Sequence, residues 1–157
     1  MDKKTKEYIV NMSRQEKQFG ALYRSLSASF GISDCGMWIL YYLLIADEDI
    51  SQQELMKLMM FPKQTINSAV TVLVKKGFIE LEMIPGTRNR KKIMLTSEGA
   101  AFAEDTVNRV LSAETRAIAR MGDKQMKQYI ALHDKYLEVL KNEFSEEGLV
   151  SDGSTDE

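Results

Sequence analysis

Residues 51–96 read SQQELMKLMM FPKQTINSAV TVLVKKGFIE LEMIPGTRNR KKIMLT, and the order of signals in this stretch decides the fold. Ser51-Gln52-Gln53-Glu54 has the S-x-x-E form of a capping box. In such a box the serine hydroxyl accepts from the glutamate amide, and the glutamate reaches back to the serine N–H. A short helix therefore starts here and runs through Met59. Phe61-Pro62 breaks it, and Pro62 suits the first position of the next helix, where its missing N–H costs nothing. That helix runs to Lys76 and stops at Gly77. Ile66, Val70 and Leu73 recur at i, i+4 and i+7 as its apolar face, while Gln64, Asn67, Ser68 and Thr71 fall on the other side. From Phe78 to Ile84 the period changes to two, apolar alternating with acidic, which reads as a half-exposed strand. Pro85-Gly86 marks a turn, and 87–92 is a polar, basic tip. The stretch 92–95 returns as the second strand of a hairpin, and Thr96 caps a further helix.

Working outward, Tyr8, Met12, Phe19, Leu22, Tyr23, Leu26 and Phe30 lie at steps of three, four or seven, one apolar face of a long first helix that Gly31 stops. Ser33 or Asp34 caps a second helix whose body, 37–46, is apolar nearly all round and so is buried on most sides. Asp47-Glu48-Asp49 forms an acidic turn. Downstream, the helix capped by Thr96 extends to about Met121. Gly122-Asp123 breaks and recaps, and Met126, Tyr129, Ile130, Leu132, His133, Tyr136, Leu137 and Leu140 carry the last helix. The composition of 145–157 is that of an acidic, disordered tail. The fold class is mainly α with a small β-hairpin: two closely joined helices, the second with a small polar outer face, followed by a wing.

Composition bounds the function. The 157 residues are about one domain's worth, with 44 % hydrophobic and 28 % charged residues. One cysteine, Cys35, excludes an internal disulfide and suits a reducing, cytoplasmic compartment. With one histidine, His133, it also excludes the common Cys/His zinc clusters. The apolar run 37–46 is too short to span a membrane, and the N-terminus has no signal-peptide core. No nucleophile–base pair, paired carboxylates or phosphate-cradling glycine loop stands out, so neither an enzyme nor a cofactor is expected. The net charge of −2 argues against nucleic acid only until its distribution is read. Residues 62–92 hold seven Lys and Arg against Glu80 and Glu82, a net of +5. Residues 143–157 hold six carboxylates and no cation.

A basic hairpin tip beside a polar-faced helix suits a DNA duplex, whose phosphates line both grooves. Gln64, Asn67 and Ser68 are short polar groups able to pair with base edges in the major groove, and Thr71 shares their face. Lys63 and Thr65, near the helix N-terminus, suit phosphates, as does Lys91 in the basic tip. Arg88, Asn89 and Arg90 sit at the wing tip, where an arginine can enter a narrow minor groove.

The run Phe61-Pro62-Lys63-Gln64-Thr65-Ile66-Asn67-Ser68-Ala69-Val70 and Gly77-Phe78-Ile79, followed by Lys91-Lys92-Ile93-Met94-Leu95-Thr96-Ser97-Glu98-Gly99, resembles the MarR family of bacterial transcriptional regulators. The LTxxG box after a basic wing carries most of that resemblance, which covers about residues 5–142. The resemblance implies a homodimer, with residues 1–32 and 97–144 forming a helical dimerisation region and 33–96 a winged helix-turn-helix. It also implies a pseudo-palindromic operator, and repression relieved by a small, often lipophilic effector or by oxidation. The wing departs from the family's D-x-R pattern: Thr87 stands in place of the aspartate and Asn89 near the arginine, so Arg88 and Arg90 are both candidates for the minor groove.

Tyr23, Trp38 and Tyr42, with Tyr41, are candidates to line an effector pocket, although aromatics at helical spacing more often build core. Cys35 opens the second helix, where a thiol can acidify; a redox-responsive regulator using it is one alternative function. The other is a winged-helix protein-interaction module whose wing meets an acidic partner.

Overall fold

The computed structural model describes residues 1–46, 50–88 and 90–150, which fall into two compact units, Met1–Leu111 and Ser112–Glu157. The acidic turn at Asp47-Glu48-Asp49, the wing residue Asn89 and the tail 151–157 lie outside the described residues.

The first unit gathers around α2 (Asp34–Ile45), capped by Ser33, whose hydroxyl accepts from the Gly36 amide. α2 has apolar residues on every side, and it is covered accordingly. α1 (Lys3–Ser29), α3 (Gln52–Met59), α4 (Lys63–Lys75), α5 (Ser97–Asp105) and one strand of the sheet all pack on it. Met37, Ile39 and Leu40 of α2 meet Leu55, Ile66, Leu73, Ile79 and Ile93 in a core from which water is excluded. Each such side chain contributes about 1.5–3 kcal/mol relative to exposure.

The hairpin is β2 (Ile79–Met83) and β3 (Lys91–Leu95), paired antiparallel with Leu81 opposite Ile93 and Glu82 opposite Lys92. Ile84, Pro85, Gly86 and Thr87 make a turn closed by the Thr87 amide on the Ile84 carbonyl, with Gly86 at φ +77°. A third strand, β1 (Ile50–Ser51), pairs with the free edge of β3 and makes the sheet order β1-β3-β2. Two residues carry no alternation, so this strand has no sequence signal; tertiary pairing creates it. The hairpin expected from sequence is thus the larger part of a three-stranded sheet.

Three further details differ from expectation. Pro62 is the N-cap of α4, with extended backbone, and Lys63 takes the first helical position; the Pro62 carbonyl accepts from Ile66. The helix expected from Thr96 to Met121 is two, α5 and α6 (Val107–Met121). They part at Thr106, whose backbone leaves the helical region while its hydroxyl donates to the Phe102 carbonyl. A threonine hydroxyl that takes the carbonyl four residues back competes with the backbone ladder there. Finally, the last helix, α7 (Asp123–Glu146), outruns the boundary expected at residue 145. Beyond it the amides of Gly148 and Leu149 donate back to Ser145 and Phe144.

In the second unit, α7 follows Gly122 and has no buried residue. Tyr129, Ile130, Leu132, Tyr136, Leu137, Val139 and Phe144 are exposed along it.

Four elements of the first unit meet at the L-T-x-x-G box. The Thr96 hydroxyl accepts from the Gly99 amide, capping α5, and donates to the Gly77 carbonyl at the end of α4. The Thr96 amide donates to the Phe78 carbonyl at the start of β2. Gly99 lies so close to that strand that a Cβ would stand 1.7 Å from the Phe78 carbonyl oxygen. Phe78 and Phe102 then stack at 4.3 Å between ring centres. Gly99→Ala is expected to destabilise the protein by at least about 2 kcal/mol in denaturant unfolding. Ser97→Ala, on the exposed side of the same turn, should stay within about 0.5 kcal/mol.

Candidate nucleic-acid interface

α4 is positioned by its buried face: Ile66, Ala69, Val70 and Leu73 point into the core, and so Lys63, Gln64, Thr65, Asn67, Ser68 and Thr71 are exposed. All six are on the solvent side, where the sequence places them. The helix ends at Lys75 with Lys76 as its C-cap, and Gly77 at φ +73° lets the chain turn into β2.

Two contacts from α3 tie this face to the wing. The Gln52 side-chain amide donates to Asn67 Oδ1 at 2.8 Å. Two residues on, Glu54 Oε1 lies 3.9 Å from the Arg90 guanidinium. Glu54 also completes the capping box, accepting from the Ser51 amide at 2.8 Å while its own amide donates to the Ser51 hydroxyl. Hydrogen bonds from Ser51, with the charges of Arg90 and Lys57, hold the Glu54 carboxyl below the usual carboxylate range. The first turn of α3 therefore touches the polar face of α4 on one side and the wing on the other. Sequence reading found the capping box but not this second use of it; the partners lie 15 and 36 positions away along the chain.

Within the wing, Lys92 pairs with Glu82 across the strands at 3.0 Å, and Lys91 is exposed. Arg88 is exposed on the loop. Thr87 donates its hydroxyl to the Ile84 carbonyl at 2.8 Å, with the Arg90 carbonyl at 3.4 Å as the alternative acceptor. The Ile84 amide donates to that same Arg90 carbonyl at 2.9 Å. A neutral hydroxyl thus bonds to the carbonyl at the start of the turn.

Tyr23, Trp38, Tyr41 and Tyr42 are half-buried and touch ring to ring: Tyr23 and Trp38 at 4.9 Å, Trp38 and Tyr41 at 5.0 Å, Trp38 and Tyr42 at 6.3 Å. They pack on the core as partners of one another. An open groove of about 540 Å³ lies elsewhere, along Ile9, Val10, Ser13, Lys17 and Ala21 of α1. Cys35 is 3 % exposed, and burial, with the charge of Asp34, pushes its thiol up to about 11. A thiol so held is protonated at neutral pH, which works against the redox reading. Among the described residues no group of three His, Cys, Asp or Glu side chains gathers to hold a metal ion, and no single helix is long and apolar enough to cross a membrane.

Comparison with known proteins places this geometry. Residues 31–88, from the turn before α2 to the wing, match the MarR family. A MarR family regulator from Neisseria meningitidis superposes with a TM-score of 0.75 at 20 % identity, covering 89 % of this chain and 98 % of that one. A MarR/EmrR family regulator from Acinetobacter gives 0.68 at 17 % identity over 88 % and 97 %. The MepR–DNA complex of S. aureus gives 0.65 at 20 % identity over 85 % and 96 %. No curated protein matches by sequence.

The contact between Glu54 and Arg90 should hold the wing against α3. Glu54→Gln keeps a side chain able to reach the Ser51 amide but removes the charge facing Arg90. Faster amide hydrogen exchange through 84–91, with α3 protection unchanged, is expected for this variant. Because the carboxyl is depressed in the folded protein, its contribution is present at neutral pH and fades as pH falls through its folded value. The parent's wing exchange, corrected for intrinsic rates, should approach the variant's on acidification.

Proposed function

This chain carries the MarR-family winged helix within the fold of MarR-family regulators, and from that premise we propose that it is a DNA-binding transcriptional regulator. The observation that carries the reading is the first turn of α3, which joins the polar face of α4 to the wing through Gln52–Asn67 and Glu54–Arg90. The two parts suited to duplex DNA thus belong to one surface, and residues 62–92 give it a net charge of +5. On this reading α4 enters the major groove. Gln64, Asn67, Ser68 and Thr71 meet base edges, while Lys63, Thr65 and Lys91 meet phosphates. Arg88 and Asn89 belong to the minor groove. Arg88 is the wing's minor-groove arginine, because Arg90 faces Glu54. The structurally similar MepR has been solved as a DNA complex, which supports DNA as the partner.

The active species is a homodimer. Tyr8, Ile9, Phe19 and Leu22 are exposed on α1, and α7 buries nothing of its own. Apolar faces of that extent on a 157-residue chain call for a partner, and a second copy supplies one with two-fold symmetry. Two reading heads about 34 Å apart then match a pseudo-palindromic operator. The protein acts as a repressor. A small lipophilic effector received beside Tyr23, Trp38 and Tyr42 favours a dimer of different spacing and so empties the operator.

Binding of the full-length protein to duplex DNA should weaken steeply with salt, by about one power of salt concentration for each phosphate neutralised. Affinity that barely changes between 50 and about 200 mM salt would overturn the phosphate contacts and favour a protein-interaction module. Lys91→Ala should weaken all duplexes alike and lower the slope by about one per subunit. Leu132→Glu, at a side chain 68 % exposed in the single chain, should yield folded monomers in sedimentation analysis with operator binding lost. A dimer that survives this change places the interface elsewhere.

A further inference from the structure

The hydrogen bond between Gln52 and Asn67 fixes more than the distance between two helices. Asn67 stands on the exposed face of α4, where an unattached asparagine amide turns freely and presents either its oxygen or its nitrogen outward. Here Gln52 Nε2 donates to Asn67 Oδ1 at 2.8 Å. The Asn67 oxygen is thereby turned to α3, and its Nδ2 keeps both N–H groups for another acceptor. Gln52 in turn keeps its Oε1 as an acceptor. Gln52 is the first residue of α3, so its backbone is set by the Ser51–Glu54 capping box next to it. On α4, the Thr71 hydroxyl donates to the Asn67 carbonyl at 2.8 Å, one turn along. Both amides are thus attached to backbone held by independent contacts.

We propose that Gln52 determines sequence specificity by orienting Asn67, so that the two amides read one base pair jointly. The inference rests on the DNA-binding reading above. An Asn67 donor beside a Gln52 acceptor is complementary to the major-groove edge of adenine, where N7 accepts and the N6 amino group donates. The pair is preformed, so ordering of the asparagine amide is completed before DNA arrives, and the discrimination depends on Gln52 as much as on Asn67. Gln52 is therefore a positioning and specificity residue rather than a phosphate ligand.

The test is selection of bound duplexes from a random-sequence pool by full-length protein, followed by titration of the enriched duplex and its single-base variants. Wild type should enrich a consensus with an A·T pair in each half-site that Asn67→Ala no longer requires. Gln52→Ala should lose the same requirement, with discrimination at that pair falling roughly tenfold. The double variant should lose no more than either single one. Gln52→Glu offers only acceptors, so it draws the Asn67 nitrogen inward and should change the preferred base pair rather than abolish it. Retention of the wild-type preference by Gln52→Ala, or an equal loss on every duplex, would overturn this inference while leaving the DNA-binding reading intact. A wild-type protein that enriches no consensus would overturn both.

Discussion

The close approach of Gly99 to the Phe78 carbonyl is the constraint on which the geometry of the wing depends. At this point α4 has just ended, β2 begins, β3 has finished and α5 starts. Thr96 joins all four, donating from its hydroxyl to Gly77 and from its amide to Phe78 while capping α5. Only a residue without a side chain lets α5 sit low enough for these bonds to form together. The L-T-x-x-G signature is thus a structural device. It sets the angle at which the polar helix and the wing leave the core.

A second constraint is the absence of any polar face on α2. A helix apolar on all sides must be wrapped, and here α1, α3, α4, α5 and β3 wrap it. Met37, Ile39 and Leu40 then act as a common floor for elements distant in sequence. The polar outer face of α4 is a consequence: with Ile66, Val70 and Leu73 committed to that floor, the intervening residues have nowhere else to point. The apolar side chains of α7, in the second unit, are by contrast exposed.

Most of this order was legible in the sequence because the signals are local. The Ser51–Glu54 box, the glycine at the end of α4, the alternation in β2 and the Thr96 cap each act over three or four residues, and each appears where the residues place it. Misreadings arose where longer-range pairing or a backbone competition decides. β1 exists only because the edge of β3 accepts Ile50 and Ser51. The break at Thr106 sets one hydroxyl against a helical ladder that the surrounding residues favour. The candidate DNA-facing residues of α4 follow from its period and are exposed as expected; Gln52 does not follow from any period. It sits in a helix start recognisable for another reason, and only the fold brings its amide to Asn67.

The charge of the chain is arranged by the same rule. The net of −2 combines a segment of +5 over 62–92 with six carboxylates and no cation over 143–157. On the wing, two of the cations face carboxylates: Lys92 pairs with Glu82 across the hairpin, and Arg90 with Glu54 of α3. These pairs are partly exposed and add little to stability. Their effect is positional, since each holds one cation back and leaves Arg88 and Lys91 on the exposed side of the wing. A wing bearing four unrestrained cations would bind any polyanion through charge alone. Holding two of them against acidic neighbours reduces that general attraction.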